Sequence, residues 1–129
     1  MKELFVIAAL ALAACDDDKY SVERLQDPNT CSTCHPTHFT EWSGSMHAYA
    51  STDPVFIAMH KRGQRETGGE LGTFCVNCHA PMAVANGTIT SDNVATFDIS
   101  TLPPAETGIT CYFCHNADKV TRDHDNGLE

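Results

Sequence analysis

The most apolar part of the chain is its N-terminus, where residues 4–14 form a run of eleven apolar side chains. Eleven residues are too few to cross a bilayer as a helix, which takes about 20, but they match the apolar centre of a signal peptide. The run ends in Leu12-Ala13-Ala14-Cys15, the pattern of a bacterial lipobox, whose cysteine is acylated. We therefore predict a lipoprotein signal peptide over residues 1–14 and lipidation of Cys15, which would anchor the chain to a membrane. An ordinary signal peptide with a free Cys15 is the alternative.

The polar pattern beyond Cys15 predicts a tether followed by one domain. Residues 15–29 include three consecutive aspartates, which is typical of a spacer between a lipid anchor and a folded part. Residues 30–129 then form a domain, in which the stretch 85–108 lacks a helical period and holds Asn-Gly and Pro-Pro pairs. A short extended piece is expected at residues 94–99. The predicted fold class is mainly α with much irregular coil and few or no strands.

Hydrophobic periodicity predicts two helices inside the domain. The first begins at Pro36, because proline suits the first helical position, and runs to about Tyr49. The second is short, with Asp53 as its cap, Pro54 as its first residue and Gly63 at its end. The apolar residues at helical spacing are Phe39, Trp42, Met46 and Tyr49 in the first segment, and Val55, Phe56 and Met59 in the second.

Six of the seven cysteines fall into three C-x-x-C-H motifs, the pattern of covalent haem attachment. The motif residues are Cys31, Cys34 and His35; Cys75, Cys78 and His79; and Cys111, Cys114 and His115. Two thiolates separated by two residues reach the two vinyl groups of one porphyrin, and the next histidine lies under the iron. The sequence therefore predicts three covalently bound haem c groups, with each motif histidine as a proximal iron ligand.

Zinc sites and disulfides are the alternatives for these cysteines. Structural zinc sites also use C-x-x-C pairs, but each ion needs four ligands, and three pairs do not divide naturally into such sites. Disulfides suit an exported protein, but they do not require a histidine after every pair. We therefore favour haem.

Four histidines remain as candidate distal ligands, which is enough for three irons that each bind two histidines. His47 lies at the end of the first predicted helix, His60 lies on the second, and His124 lies in a polar tail that could fold back. His38 shares one side of a helix with His35, so it could ligate only a neighbouring haem. The methionine alternatives are Met46, Met59 and Met82, for which core packing is the favoured interpretation.

The segment from Cys31 to Ala48, CSTCHPTHFTEWSGSMHA, resembles the opening haem segment of a bacterial multihaem cytochrome c family related to the tetrahaem cytochrome of hydroxylamine oxidation. The shared pattern is C-x-x-C-H-P, a tryptophan, and then Ser-x-His-Ala; residues 74–83 and 108–115 are also similar to that family. The resemblance implies a haem-dominated architecture, electron transfer between close and mostly bis-histidine haems, and His47 as a distal ligand. Relatives usually continue further, so truncation of the domain at its C-terminus is expected.

The formal net charge of −9 argues against nucleic acid as a partner, because phosphates would repel this surface. The charge suits docking on a basic redox partner, although it could serve only solubility. We expect an electron carrier rather than a catalyst, lipid-anchored on the periplasmic side of a bacterial membrane, whose partners are redox proteins or a quinol-oxidising membrane complex. The alternative is a haem subunit of a multihaem oxidoreductase acting on nitrogen compounds, which needs one iron with an open position.

Overall fold

The computed structural model describes residues 21–121, which form seven short α-helices and two 3₁₀ turns joined by irregular segments. The helices are α1 (Val22–Gln26), α2 (Pro28–Cys31), α3 (Pro36–Ser43), α4 (Pro54–Glu66), α5 (Val76–His79), α6 (Pro81–Ala85) and α7 (Cys111–His115). The 3₁₀ turns are Ile99–Thr101 and Pro104–Glu106. No strand forms within residues 21–121, which confirms the predicted fold class, and none of these helices is long and apolar enough to cross a membrane. The extended piece expected at 94–99 does not form over that length, because residues 94–96 form turns and Ile99 begins a 3₁₀ turn.

The predicted tether is wrong for residues 21–29, because these residues form α1 and the start of α2. Ser21 caps α1 by accepting a hydrogen bond from the Arg24 amide, and Asp27 caps α2. The side chains of Gln26 and Asn86 exchange two hydrogen bonds at 3.3 and 3.0 Å, which ties α1 to a distant part of the chain. The polar residues of this segment are therefore helix caps and tertiary contacts.

Helix α3 begins at Pro36 as predicted but ends at Ser43, six residues before the predicted end at Tyr49. Gly44 follows, and its amide donates to the carbonyls of Thr40 and Trp42. Glycine between two serines disfavours helix continuation, and the chain proceeds through consecutive turns. His47 therefore lies in a turn and not at the end of a helix.

The start of α4 is confirmed, whereas its predicted end at Gly63 is wrong. The Asp53 carboxylate accepts a hydrogen bond of 2.7 Å from the Phe56 amide, and Pro54 occupies the first turn. The helix continues through Gly63 to Glu66, and Leu71 packs against Gly63 where a Cβ would otherwise lie. A glycine inside this helix therefore serves close packing and not termination.

The apolar core lies around α4, α5, α6 and the segment that follows them. Its buried members are Phe56, Val76, Ala80, Ala83, Ile89, Val94, Ile99 and Leu102. Helix α4 turns Phe56, His60 and Gln64 inward, whereas the predicted stripe members Val55 and Met59 remain 69% and 59% exposed. The predicted stripe is therefore correct only for Phe56.

Candidate haem sites

Three segments share one local geometry: motif 1 (residues 31–35), motif 2 (residues 75–79) and motif 3 (residues 111–115). In motifs 1 and 2 the amides of the second cysteine and of the histidine both donate to the carbonyl of the first cysteine, at 2.8–3.3 Å. Motif 3 coincides with helix α7. Both sulfurs and the imidazole of each motif therefore lie on a single helical turn.

All six cysteines of the three motifs are free thiols, and in every motif the first cysteine is half-buried and the second is exposed. None of them forms a disulfide. Within residues 21–121, no group of three or more His, Cys, Asp or Glu side chains is placed to hold a metal ion by itself. This donor set fits one porphyrin per turn, with two thioethers and one imidazole, better than zinc shared between turns.

A groove of about 710 Å³ opens beside motif 2. Cofactor sites typically measure about 300–1,000 Å³, so the groove has the volume of such a site. Cys75, Cys78 and His79 form part of its lining. Helix α4 contributes the exposed side chains of Val55 and Met59, and Phe74 is 59% exposed beside them. These large apolar surfaces would be covered by a flat porphyrin, so the residues present fit the group.

The imidazole of His79 is held in one orientation by two contacts. Its Nδ1 lies 2.8 Å from the carbonyl oxygen of Ala50, so an N–H there donates to that oxygen and leaves Nε2 for the iron. The ring of Phe56 stacks on the imidazole face, with 3.9 Å between ring centroids and 5° between planes. This fixed orientation would suit His79 to the predicted role of proximal ligand at motif 2.

His60 lies beside this groove but is itself buried. It is 3% exposed, its ring centroid is 5.8 Å from that of Phe56, and neither ring nitrogen has a hydrogen-bond partner. Burial lowers the pKa of His60, with the Val94 backbone acting in the opposite direction and His79 and Lys61 adding to the decrease. Its side chain forms part of the groove lining, but both ring nitrogens are covered by protein atoms.

Motifs 1 and 3 are brought together, since α2 contacts α7. The pKa of the Cys111 thiol is raised by burial and then by the neighbouring Cys31 thiol, with which it shares a hydrogen bond. The first cysteines of motifs 1 and 3 are thus side by side. Two haems attached there would be close neighbours.

The turn that carries His47 is fastened to the residues just before motif 3. The Ile109 amide donates to the His47 carbonyl at 2.9 Å, and the Trp42 indole N–H donates to the Ile109 carbonyl at 2.8 Å. Gly108 has a φ of +66°, and a Cβ there would collide with the carbonyls of His47 and Ala48. Only glycine permits this close approach.

The other predicted ligands lie at the surface or outside residues 21–121. His35, His47 and His115 are exposed. His38 is also exposed, lies 3.7 Å from the Glu41 carboxylate, and has its ring centroid 6.1 Å from that of His35. His124 and Cys15 lie outside the described residues, so ligation by the first and lipidation of the second stay predictions.

A family model described as cytochrome c554 and c-prime matches residues 30–116, from just before motif 1 to just after motif 3. The chain belongs to this family. No curated protein and no solved structure matches the chain. The predicted membership of a bacterial multihaem cytochrome c family is confirmed, and with it covalently bound haem c. The link to hydroxylamine oxidation stays a prediction.

Three features of this cytochrome were not predicted from the sequence. The Ala50 carbonyl had no signal at all, because any residue offers a backbone oxygen. The stacking of Phe56 on His79 joins residues 23 positions apart, and helical spacing marked Phe56 only as apolar. Gly108 could be recognised as a loop glycine, but its contact with the His47 turn is tertiary.

Proposed function

We propose that this cytochrome carries three haem c groups and transfers electrons between redox partners on the periplasmic side of a bacterial membrane. The observation that carries the proposal is the repetition of one geometry: three helical turns, each with two free thiols and one histidine. Each bound haem iron would supply one-electron oxidation and reduction. The family match supports the cofactor type, and the three motifs support the count.

The polypeptide contributes position and orientation. Contact between Cys31 and Cys111 supports two closely spaced haems at motifs 1 and 3. The Ala50 carbonyl and the Phe56 ring hold the motif 2 imidazole. His38 and His47 are exposed close to the paired motifs, which supports them as distal ligands there. Residues that fix ligand orientation in this way suit rapid electron exchange more than binding of a substrate.

Location and partners form the second part of the proposal. A diacylglyceryl group on Cys15 would hold the domain at the membrane surface, within reach of a quinol-oxidising complex. The net charge of −9 supports docking on a basic redox protein. Replacing Cys15→Ser tests the anchor: we expect the cytochrome to move from the membrane fraction to the soluble periplasmic fraction. Unchanged membrane attachment of the variant would contradict it.

Electron transfer itself is tested by spectroscopy and kinetics on the purified protein. We expect low-spin ferric signals from every haem, rapid reduction by quinol-reducing membranes, and rapid reoxidation by a soluble basic cytochrome. The reoxidation rate should fall with ionic strength, because charge steers the encounter. Steady turnover of nitrite or hydroxylamine would contradict a pure carrier.

The alternative, a haem subunit of a multihaem oxidoreductase acting on nitrogen compounds, is favoured by one observation. Within residues 21–121, the histidines that line the motif 2 groove are His60 and His79, and the nitrogens of His60 are covered. If nothing else occupied the sixth position, the motif 2 iron would be open to a small ligand. Binding of nitric oxide or cyanide without displacement of a protein ligand would support this alternative.

A further inference from the structure

Helix α4 presents two different rows of side chains to its surroundings. Phe56, His60 and Gln64 are buried, and of these Phe56 and His60 also form part of the groove lining. Val55, Met59 and Gly63 follow one another at four-residue spacing and line the groove beside motif 2. The second row therefore faces the space in which a haem bound to Cys75 and Cys78 would lie.

Few groups in the lining of this groove could bind iron opposite His79. The nitrogens of His60 are covered, and the Asp53 carboxylate is engaged in capping the Phe56 amide at 2.7 Å. The thioether of Met59 belongs to the row that faces the groove, on a side chain that is 59% exposed. Methionine has three rotatable bonds and a soft sulfur, and thioethers are established axial ligands of haem iron.

The exposure of Met59 argues against ordinary core packing, which was the favoured interpretation from the sequence. The core methionine Met82 is 5% exposed, so the polypeptide covers one methionine and leaves the other open to the groove. We infer that the Met59 thioether would bind the iron of a haem at motif 2 together with His79. This inference rests on the proposed function and adds to it a histidine–methionine site of higher potential than a bis-histidine one.

The test is a set of near-isosteric variants of the full, haem-loaded protein. Met59→Leu keeps the apolar volume but removes the sulfur. Met46→Leu is the matched comparison, because Met46 is 64% exposed but lies outside the groove lining. Met59→His restores a nitrogen ligand at the same position. Haem content by mass, electron paramagnetic resonance, near-infrared dichroism and redox titration are measured for each protein.

We expect the unmodified protein to show the sulfur-to-iron charge-transfer band of one methionine-ligated ferric haem. In Met59→Leu the band disappears and one iron becomes high-spin, while haem content stays the same. Met46→Leu keeps the band. In Met59→His the iron is low-spin again, without the band and with a lower reduction potential for that haem.

Several results would overturn the assignment while leaving the proposed function intact. These are a fully loaded protein without the band, a band that survives in Met59→Leu, or a band lost in Met46→Leu. A high-spin iron in His60→Leu, with the charge-transfer band unchanged, would show that the motif 2 iron is bound by His60 and not by Met59. A protein with no haem on Cys75 and Cys78 would overturn both the assignment and the proposed function.

Discussion

Eight buried apolar side chains form a core around α4 and the helices of motif 2, whereas the helices around motifs 1 and 3 (α1, α2, α3 and α7) have Pro28 as their buried residue. Burial of apolar surface contributes about 25 cal/mol per Å², so the two regions draw on different sources of stability. The motif 2 region has a protein core of its own. We expect the region of motifs 1 and 3 to depend on covalent haem for much of its apolar contact.

The two regions also differ in how they hold the histidines of their motifs. His79 is fixed by a backbone carbonyl and a stacked phenyl ring, whereas His35 and His115 are exposed at the ends of short turns. We infer that this short chain prepares the motif 2 site by ordinary packing, and we expect the sites at motifs 1 and 3 to be completed when haem is attached.

Loss of haem should affect the two regions unequally. The paired replacements Cys111→Ser and Cys114→Ser remove attachment at motif 3. We expect amide hydrogen exchange in α2, α3 and α7 to accelerate about a thousandfold, equivalent to about 4 kcal/mol, since helices this short are marginal alone.

The matched control replaces Cys75 and Cys78 with serine, which removes attachment at motif 2. Amides of α4 and of the segment 89–102 should remain protected, because their core consists of protein side chains. Hydrogen exchange read by mass spectrometry checks both proteins. Equal loss of protection in the two regions would contradict the comparison.

A core substitution should destabilise the motif 2 region alone. Ile89 is 1% exposed, and Ile89→Ala leaves a cavity that costs about 3 kcal/mol. Urea unfolding, followed separately by circular dichroism and by haem absorbance, measures the loss. A loss of stability seen only in the region of motifs 1 and 3 would contradict the assignment of this core to the motif 2 region.

Gly108→Ala should separate the His47 turn from motif 3. A Cβ at Gly108 meets two backbone carbonyls and the φ is +66°, so we expect a loss of about 2 kcal/mol. Gly72→Ala is the control, with a φ of +55° and open space around it, and should cost about 1 kcal/mol. Equal losses in urea unfolding would mean that the close approach at Gly108 contributes nothing.

The smallest effect is expected from the cap of α4. Asp53→Ala removes the hydrogen bond to the Phe56 amide and should cost about 1 kcal/mol. Asp53→Asn retains an acceptor and should cost less. Thermal unfolding of the motif 2 region measures the loss of stability in each variant. An equal loss in both would contradict the capping role of Asp53.

Local signals in the sequence predicted those parts of the molecule that depend on neighbouring residues. The C-x-x-C-H turns and the start of α4 at Asp53-Pro54 are determined within a few residues. The end of α3 was predicted too late, because apolar spacing continued to Tyr49 although Gly44 lies between two serines. The role of residues 21–29 was missed, because the contacts of Gln26 with Asn86 are 60 positions apart.

The outward-facing row of α4, formed by Val55, Met59 and Gly63, was also not predicted from the sequence, and the reason is different. Apolar residues were expected to face a protein core, yet Val55 and Met59 face the groove beside motif 2. A helix that contacts both a core and a cofactor has two apolar faces, and spacing alone does not distinguish them. The polar residue His60 marks the buried face, which is the opposite of the usual expectation.

The count and position of the haems is the claim on which the other conclusions depend. Intact mass together with pyridine haemochrome quantitation measures the number of haems per chain, and peptide mass mapping locates them. We expect three haems, one on each pair of motif cysteines, in a chain that also carries a diacylglyceryl group. Free or disulfide-bonded cysteines at any of the three motifs of the exported protein would contradict it.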